Sequence, residues 1–125
     1  MEFVSSEFTP RGHYSSGVIS GNTLYISGQT SSDPDMNGFP AEGGINSEMK
    51  MAFKKVESVL KAAGITKNHV VMCKIYITSM DYWDIADFEF KEYFKEHKPA
   101  RIIVPIGMLS KGCNVELEVI AELKP

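Results

Sequence analysis

Of the 125 residues, two are cysteine, three are histidine and one is tryptophan. Cys73 and Cys113 each lie in an apolar, strand-like stretch, and neither belongs to a CxxC. A disulfide framework is therefore not expected, which fits a reducing compartment. His13, His69 and His97 form no HxH or HExxH, so no metal site is expected. No apolar run approaches the ~18 residues of a membrane span, and Met1-Glu2-Phe3-Val4-Ser5 has neither a basic segment nor an apolar one. A cytoplasmic protein without a membrane partner is the expectation. Excess positive charge is missing too. A net charge of −3 gives nothing that attracts a phosphate backbone over the whole surface, so nucleic acid is not an expected partner. Neither GxGxxG nor GxxxxGK[ST] occurs, which removes the phosphate loops, and there is no GxSxG elbow for a serine nucleophile.

What is present is ordinary globular material: 43% hydrophobic and 23% charged residues, with no internal repeat, low-complexity tract or linker. The length fits a single domain over residues 1–125. The first strong strand is Thr23 to Ser27, with Leu24 and Ile26 on one face and Thr23, Tyr25 and Ser27 on the other. The Gly21-Asn22 turn makes Gly17 to Ser20 the preceding hairpin arm. Two Pro and three Gly make Ser31 to Gly44 a loop. Ile45, Met49, Ala52, Phe53, Val56, Leu60 and Ala63 recur at helical spacing and predict a helix over Ile45 to Ala63, closed by Gly64. Lys54-Lys55 and the Lys91/Lys95/Lys98 group read as solvated helix surface.

A strand follows over His69 to Ile77, with Val71, Cys73, Ile75 and Ile77 on one face. A second helix is predicted from an Asp81 N-cap, with Trp83, Ala86, Phe90 and Phe94 facing the core, and it ends before Pro99. Arg101 to Ile106 and Asn114 to Leu123 are the last strands, joined by a turn at Lys111-Gly112. The order β-β-α-β-α-β-β implies two helices covering one face of a sheet. The other face, assigned Tyr25, Ile103 and Ile120, is too apolar to stay wet, and self-association would bury it.

Few residues stand out chemically. Cys73 belongs in a strand core, whereas Cys113, just after Gly112, is expected to be partly exposed. His13-Tyr14-Ser15-Ser16 places a His beside Ser by adjacency alone. Arg101 opens one apolar strand and Glu116 interrupts another. The two are either a plain salt bridge beside the sheet or functional groups. Tyr14 between Gly12 and Ser15 is either a turn residue or a cleft residue.

Four segments in register bear on that choice. Gly12-His13-Tyr14-Ser15-Ser16 resembles the GPYSQ segment of the RidA/YjgF family, and Leu24-Tyr25-Ile26-Ser27-Gly28-Gln29 its LFVSGQ strand. His97-Lys98-Pro99-Ala100-Arg101 resembles its HKPAR segment, and Val115 to Ala121 its VEIEAIA ending. The resemblance spans essentially the whole chain. It implies a chorismate-mutase-like α+β fold with a mixed sheet, and a homotrimer with sites in the clefts between subunits. It implies hydrolysis of reactive 2-enamino and 2-imino acids, such as 2-aminoacrylate, to 2-keto acids and ammonia without a metal or organic cofactor. Arg101 would hold the carboxylate of the substrate, and Glu116 would stand near the hydrolytic water. Tyr14 and Ile103 would line the cleft, and Gly28 would bring backbone close to the ligand.

Departures from the family pattern are His13 for Pro, Ser16 for Gln, Asp87 for Asn, and Ile103 for a Cys, Ser or Thr. They bear on the side chain that the cleft prefers. A non-catalytic trimer that binds small carboxylic acids would use the same Arg. A ribonuclease, an activity also attributed to the family, is opposed by the acidic balance and by the lack of a basic, aromatic-studded strand.

Overall fold

Apolar residues that alternate along strands and recur every third or fourth residue along two helices can share one core only if the helices lie across a sheet. The computed structural model describes residues 1–124 and has that arrangement. Its strands are β1 (Glu2–Val4), β2 (Gly17–Ser20), β3 (Thr23–Thr30), β4 (Val70–Ile77), β5 (Ala100–Pro105) and β6 (Val115–Glu122). Its helices are α1 (Ile45–Ala62) and α2 (Trp83–Phe94). The sheet runs β1-β2-β3-β6-β4-β5, with β4 and β5 parallel and every other pair antiparallel.

Leu24, Ile26, Cys73, Ile75, Leu117 and Val119 project from the sheet towards α1 and α2 and are buried with Met49, Phe53, Val56 and Phe94. Phe53 stacks on Tyr93 at 4.3 Å between ring centroids and meets Phe94 edge-on at 5.7 Å, which joins the two helices. No helix among the described residues is long and apolar enough to cross a membrane.

The strand β1 is an addition to the sequence reading. Three residues are too few for alternation to register, and β1 exists through its pairing with β2 at Phe3–Val18. Asp81 is not the cap of α2. A short 3-10 turn, Met80–Tyr82, precedes the helix, and Ser79 caps it by accepting from the Asp81 N–H at 3.1 Å. Gly64, with φ +79°, follows α1 as expected.

Four burial expectations are corrected. Val71 does not share the face of Cys73, Ile75 and Ile77: the β4–β6 register shifts between Val70 and Met72, so Val70 is buried and Val71 is 40% exposed. Ile103 does not lie on the open face. It pairs with Ile75 in the parallel β4–β5 ladder, so it shares the helix-covered side and packs against the core. Cys113 is buried. Lys55 is only 6% exposed, because it stands on the sheet-facing side of α1, one turn from Ala52 and Val59.

The open face carries one apolar row through all six strands: Phe3, Val18, Tyr25, Ile120, Met72 and Ala100 are neighbours in register. Phe3 is 73% and Tyr25 49% exposed.

Candidate functional site

Between Ile26 and Gln29 the β3–β6 ladder slips. Ser27 and Gly28 together oppose the single residue Glu118, which is a β-bulge. Two further bonds fasten the loop before β2 to this irregularity. The Ser27 N–H donates to the Ser16 carbonyl at 3.0 Å, and the Ser27 hydroxyl donates to the Ser15 carbonyl at 2.6 Å. Tyr14, turned by its N–H bond to the Gly12 carbonyl at 3.0 Å, is thereby held beside Gly28.

Glu116 rises from β6 on the open face, where Thr30 and Tyr76 are its ladder partners. Its carboxylate reaches back over Gly28. A methyl group on Gly28 would stand 2.5 Å from Glu116 Oε2. Glycine therefore leaves the space in which this carboxylate sits, and its backbone is not in the left-handed region. Burial pushes the Glu116 carboxyl above the ordinary carboxylate range, and the Glu118 charge adds to that push. Lys55 opposes it. Glu118 accepts from the Tyr76 hydroxyl at 2.8 Å and lies 3.6 Å from Lys74.

Two cavities meet at this point. One, of about 480 Å³, opens along the sheet face past Tyr25 and Glu118. The other, of about 750 Å³, runs towards α1 and ends near Lys55 and Arg11. Tyr14, Gly28 and Glu116 are the three residues that line both. The larger one lies within roughly the 300–1,000 Å³ usual for small-molecule sites.

Arg101 and Ile103 are elsewhere in the chain's own fold. Arg101 is the ladder partner of Cys73 and shares the helix side of the sheet with it, opposite Glu116. Its guanidinium bonds Asp87 of α2 at 2.6 Å and lies over the rings of Phe90 and Trp83, at 4.9 and 5.6 Å from their centroids. A plain Arg101–Glu116 salt bridge is thus not formed. Ile103, two residues further along β5, stays beside Arg101 on that side.

Cys73 has its thiol pushed up to about 12 by burial, with the Arg101 charge opposing, which leaves it an inert core group. Among the described residues no group of three His, Cys, Asp or Glu is placed to hold a metal.

The sequence reading missed Lys55. Its amine is pushed down to about 8, chiefly by burial. It donates to the Ser32 hydroxyl at 2.7 Å. The signal was available: Glu48, Ala52, Lys55 and Val59 follow helical spacing and all are buried.

A family model described as Endoribonuclease L-PSP matches residues 4–123. A human protein named 2-iminobutanoate/2-iminopropanoate deaminase is 36% identical over 110 residues, which is 88% of this chain and 80% of that protein. A RutC family protein of Sulfurisphaera tokodaii is 34% identical over 122 residues, covering 96% of this chain and 97% of its own. Among solved structures, a protein described as a putative endoribonuclease from Thermotoga maritima superposes with a TM-score of 0.91 at 31% identity, over 100% of this chain and 99% of its own. RidA from an Antarctic Psychrobacter superposes with a TM-score of 0.89 at 30% identity, covering 98% of each chain. The fold, the match over nearly the whole length and the identity to these relatives place this chain in the RidA/YjgF family, the family also described as L-PSP.

Proposed function

We propose that the protein hydrolyses 2-imino acids, and 2-enamino acids through their imine tautomers, to 2-keto acids and ammonia. The observation that carries this reading is the Glu116 carboxylate. It is seated over Gly28 where two cavities meet, and burial makes it a stronger base than a solvated glutamate. An iminium carbon is already electrophilic, so one positioned water and one base suffice. Glu116 takes a proton as the water oxygen bonds to C2. It then returns that proton to the amino nitrogen. The C2–N bond breaks, ammonia leaves, and loss of the hydroxyl proton forms the keto group. The family's imine deaminases act on substrates of this class, as their names state.

Arg101 would hold the carboxylate of the substrate, through a planar fork that matches it bidentately. Since Arg101 faces α2 and Glu116 the opposite side, the two serve one substrate only when they come from different copies of the chain. The apolar row across the open sheet face gives those copies a surface to bury, and closed rotational symmetry suits a trimer. Tyr14 and Gly28 would line the cleft from the Glu116 side, and Ile103 from the Arg101 side.

A ribonuclease reading has less support. The net charge is −3, and Glu116 and Glu118 sit together on the face that a nucleic-acid strand would have to cover.

The test is a coupled assay. An amino-acid oxidase generates the imine, and keto-acid release is followed with and without the protein. Acceleration well above spontaneous hydrolysis is expected. A rate equal to the spontaneous one with every imine tried overturns the proposal.

A further inference from the structure

At the far end of the larger cavity stand Lys55, Ser32 and Arg11. Lys55, nearly all buried, spends one ammonium proton on Ser32 Oγ at 2.7 Å. No carboxylate comes within 4 Å of its nitrogen among the described residues. Ser32 Oγ also accepts from Thr30 Oγ1 at 3.0 Å, so the proton of Ser32's own hydroxyl has no protein acceptor among the described residues. Arg11 is exposed, with its guanidinium lying over Gly38 at the rim of the cavity; its charge adds to the burial that depresses the Lys55 amine, and it has no ion-pair partner within 4 Å among the described residues.

Burial of the Lys55 amine outweighs the charges of Cys113, Asp33 and Glu116, which raise it, and no carboxylate pairs with it among the described residues. The Asp33 carboxylate accepts from the Asp35 N–H at 2.9 Å and caps its own turn. Glu7 and Asp35 are exposed, and the Glu116 carboxylate lies over Gly28. Unspent donors around a buried ammonium fit an acceptor-only group, and a carboxylate is that group.

The spacing gives the length of the ligand. Gly28 and Ser32 stand four residues apart, on either side of Thr30, the ladder partner of Glu116. At roughly 3.3 Å per residue those two positions are at most about 13 Å apart, and the Glu116 and Lys55 charges are close enough to shift each other, so the two ends lie roughly 10 Å apart. With C2 reached by the water at Glu116 and the far carboxylate bonded to Lys55, a five-carbon 2-imino dicarboxylate covers about that distance.

We propose that Lys55, with Ser32 and Arg11, forms a second carboxylate-binding end of the cavity, which selects 2-imino acids whose side chain ends in a carboxylate. This rests on the deaminase reading for the chemistry at C2. The anion site itself can be tested without turnover.

Calorimetry with 2-ketoglutarate and 2-ketobutyrate, on the native protein and on Lys55→Gln, Lys55→Arg and Ser32→Ala, makes the test. The native protein should bind the dicarboxylate about ten- to a hundredfold more tightly, the equivalent of one charged hydrogen-bonded contact. Lys55→Gln should lose that preference, Lys55→Arg should keep part of it, and Ser32→Ala should weaken it. Thermal melts report the folding of each variant. A lysine that only braces the Ser32 loop would change the melt and leave the ratio of the two affinities unmoved. Equal affinity for both acids, no binding of either, or a preference that survives in Lys55→Gln overturns the proposal. Imine turnover by the native protein without the preference sinks this inference alone. The preference without turnover sinks only the deaminase reading.

Discussion

Gly28→Ala separates the site from the fold in one substitution. The added methyl would stand 2.5 Å from Glu116 Oε2 and 3.0 Å from Cδ, where ordinary contact begins near 3.4 Å. The carboxylate must therefore retreat by about 0.9 Å. It is the far end of a flexible side chain on an open face, so the retreat costs the fold little. The backbone at Gly28 is not in the left-handed region, and replacing Gly by Ala at a position whose backbone alanine can adopt stabilises by roughly 0.4–1 kcal/mol through the unfolded chain. The melt should thus stay level or rise. Catalysis should not be spared, because a displacement near 1 Å of a positioning group costs about a hundredfold in rate. A carboxylate moved towards solvent also regains a more ordinary pKa, so the acidic limb of the pH–rate profile should shift to lower pH. Imine turnover against pH and a thermal melt, on native and variant protein, give all three readouts. Full turnover in Gly28→Ala would refute the claim that the seat over Gly28 matters. Lost turnover with a lowered melt would mean that the bulge itself has collapsed.

Glu116→Gln should lower turnover and raise the melting temperature at neutral pH, since a carboxyl whose native pKa is raised loses stability as it ionises. That gain should vanish on acidification below the ordinary carboxylate range, which paired melts at two pH values check. Arg101→Ala should lower catalytic efficiency by roughly 30-fold to several-thousand-fold. It should also depress the melt modestly, because Arg101 stacks on Phe90 and Trp83 and pairs with Asp87. Arg101→Lys should recover little turnover. Arg101→Ala and Glu116→Gln chains, unfolded together in equal amounts and refolded, should regain activity at about one site in four if each site is shared between copies. No recovery would place both residues in one chain's site. Neither cysteine should react with a thiol reagent at pH 8 until the protein unfolds, as both are buried and the Cys73 thiol is pushed up to about 12.

What the sequence disclosed depended on periodicity. The α1 and α2 stripes and the alternation in β3, β4 and β6 each repeat a local rule many times, and those elements lie close to where they are expected, although β3 runs on through Gly28 to Thr30 and the irregularity at Val71 breaks the alternation at the start of β4. Ile103 was misplaced because a run of apolar residues, Ile102-Ile103-Val104, does not say which of its members face the core. Only the parallel pairing of Ile75 with Ile103 decides it. Glu116 stands out as a charge that interrupts an apolar strand and Tyr14 as a turn or cleft residue, Gly28 only through the family resemblance, and their meeting at two cavities depends on loop bonds that no local pattern encodes. Lys55 went unnoticed because a lysine beside a lysine reads as solvated surface. Its burial follows from its place on the sheet-facing side of α1, where Ser32, 23 residues away in sequence, accepts a hydrogen bond from it.

The doubled opposition of Ser27 and Gly28 to Glu118 also changes the phase of β3. Before it the even-numbered residues Leu24 and Ile26 are buried; beyond it the buried position is the odd-numbered Ser31. A strict two-residue count along this segment therefore falls out of step at Gly28. Here the number of residues matters as much as their identity. Taking one away would bring the halves of the strand into a uniform count and remove the kink over which the Glu116 carboxylate sits. A sequence tuned only for the most regular sheet would lose this irregularity first, and the seat of its carboxylate with it.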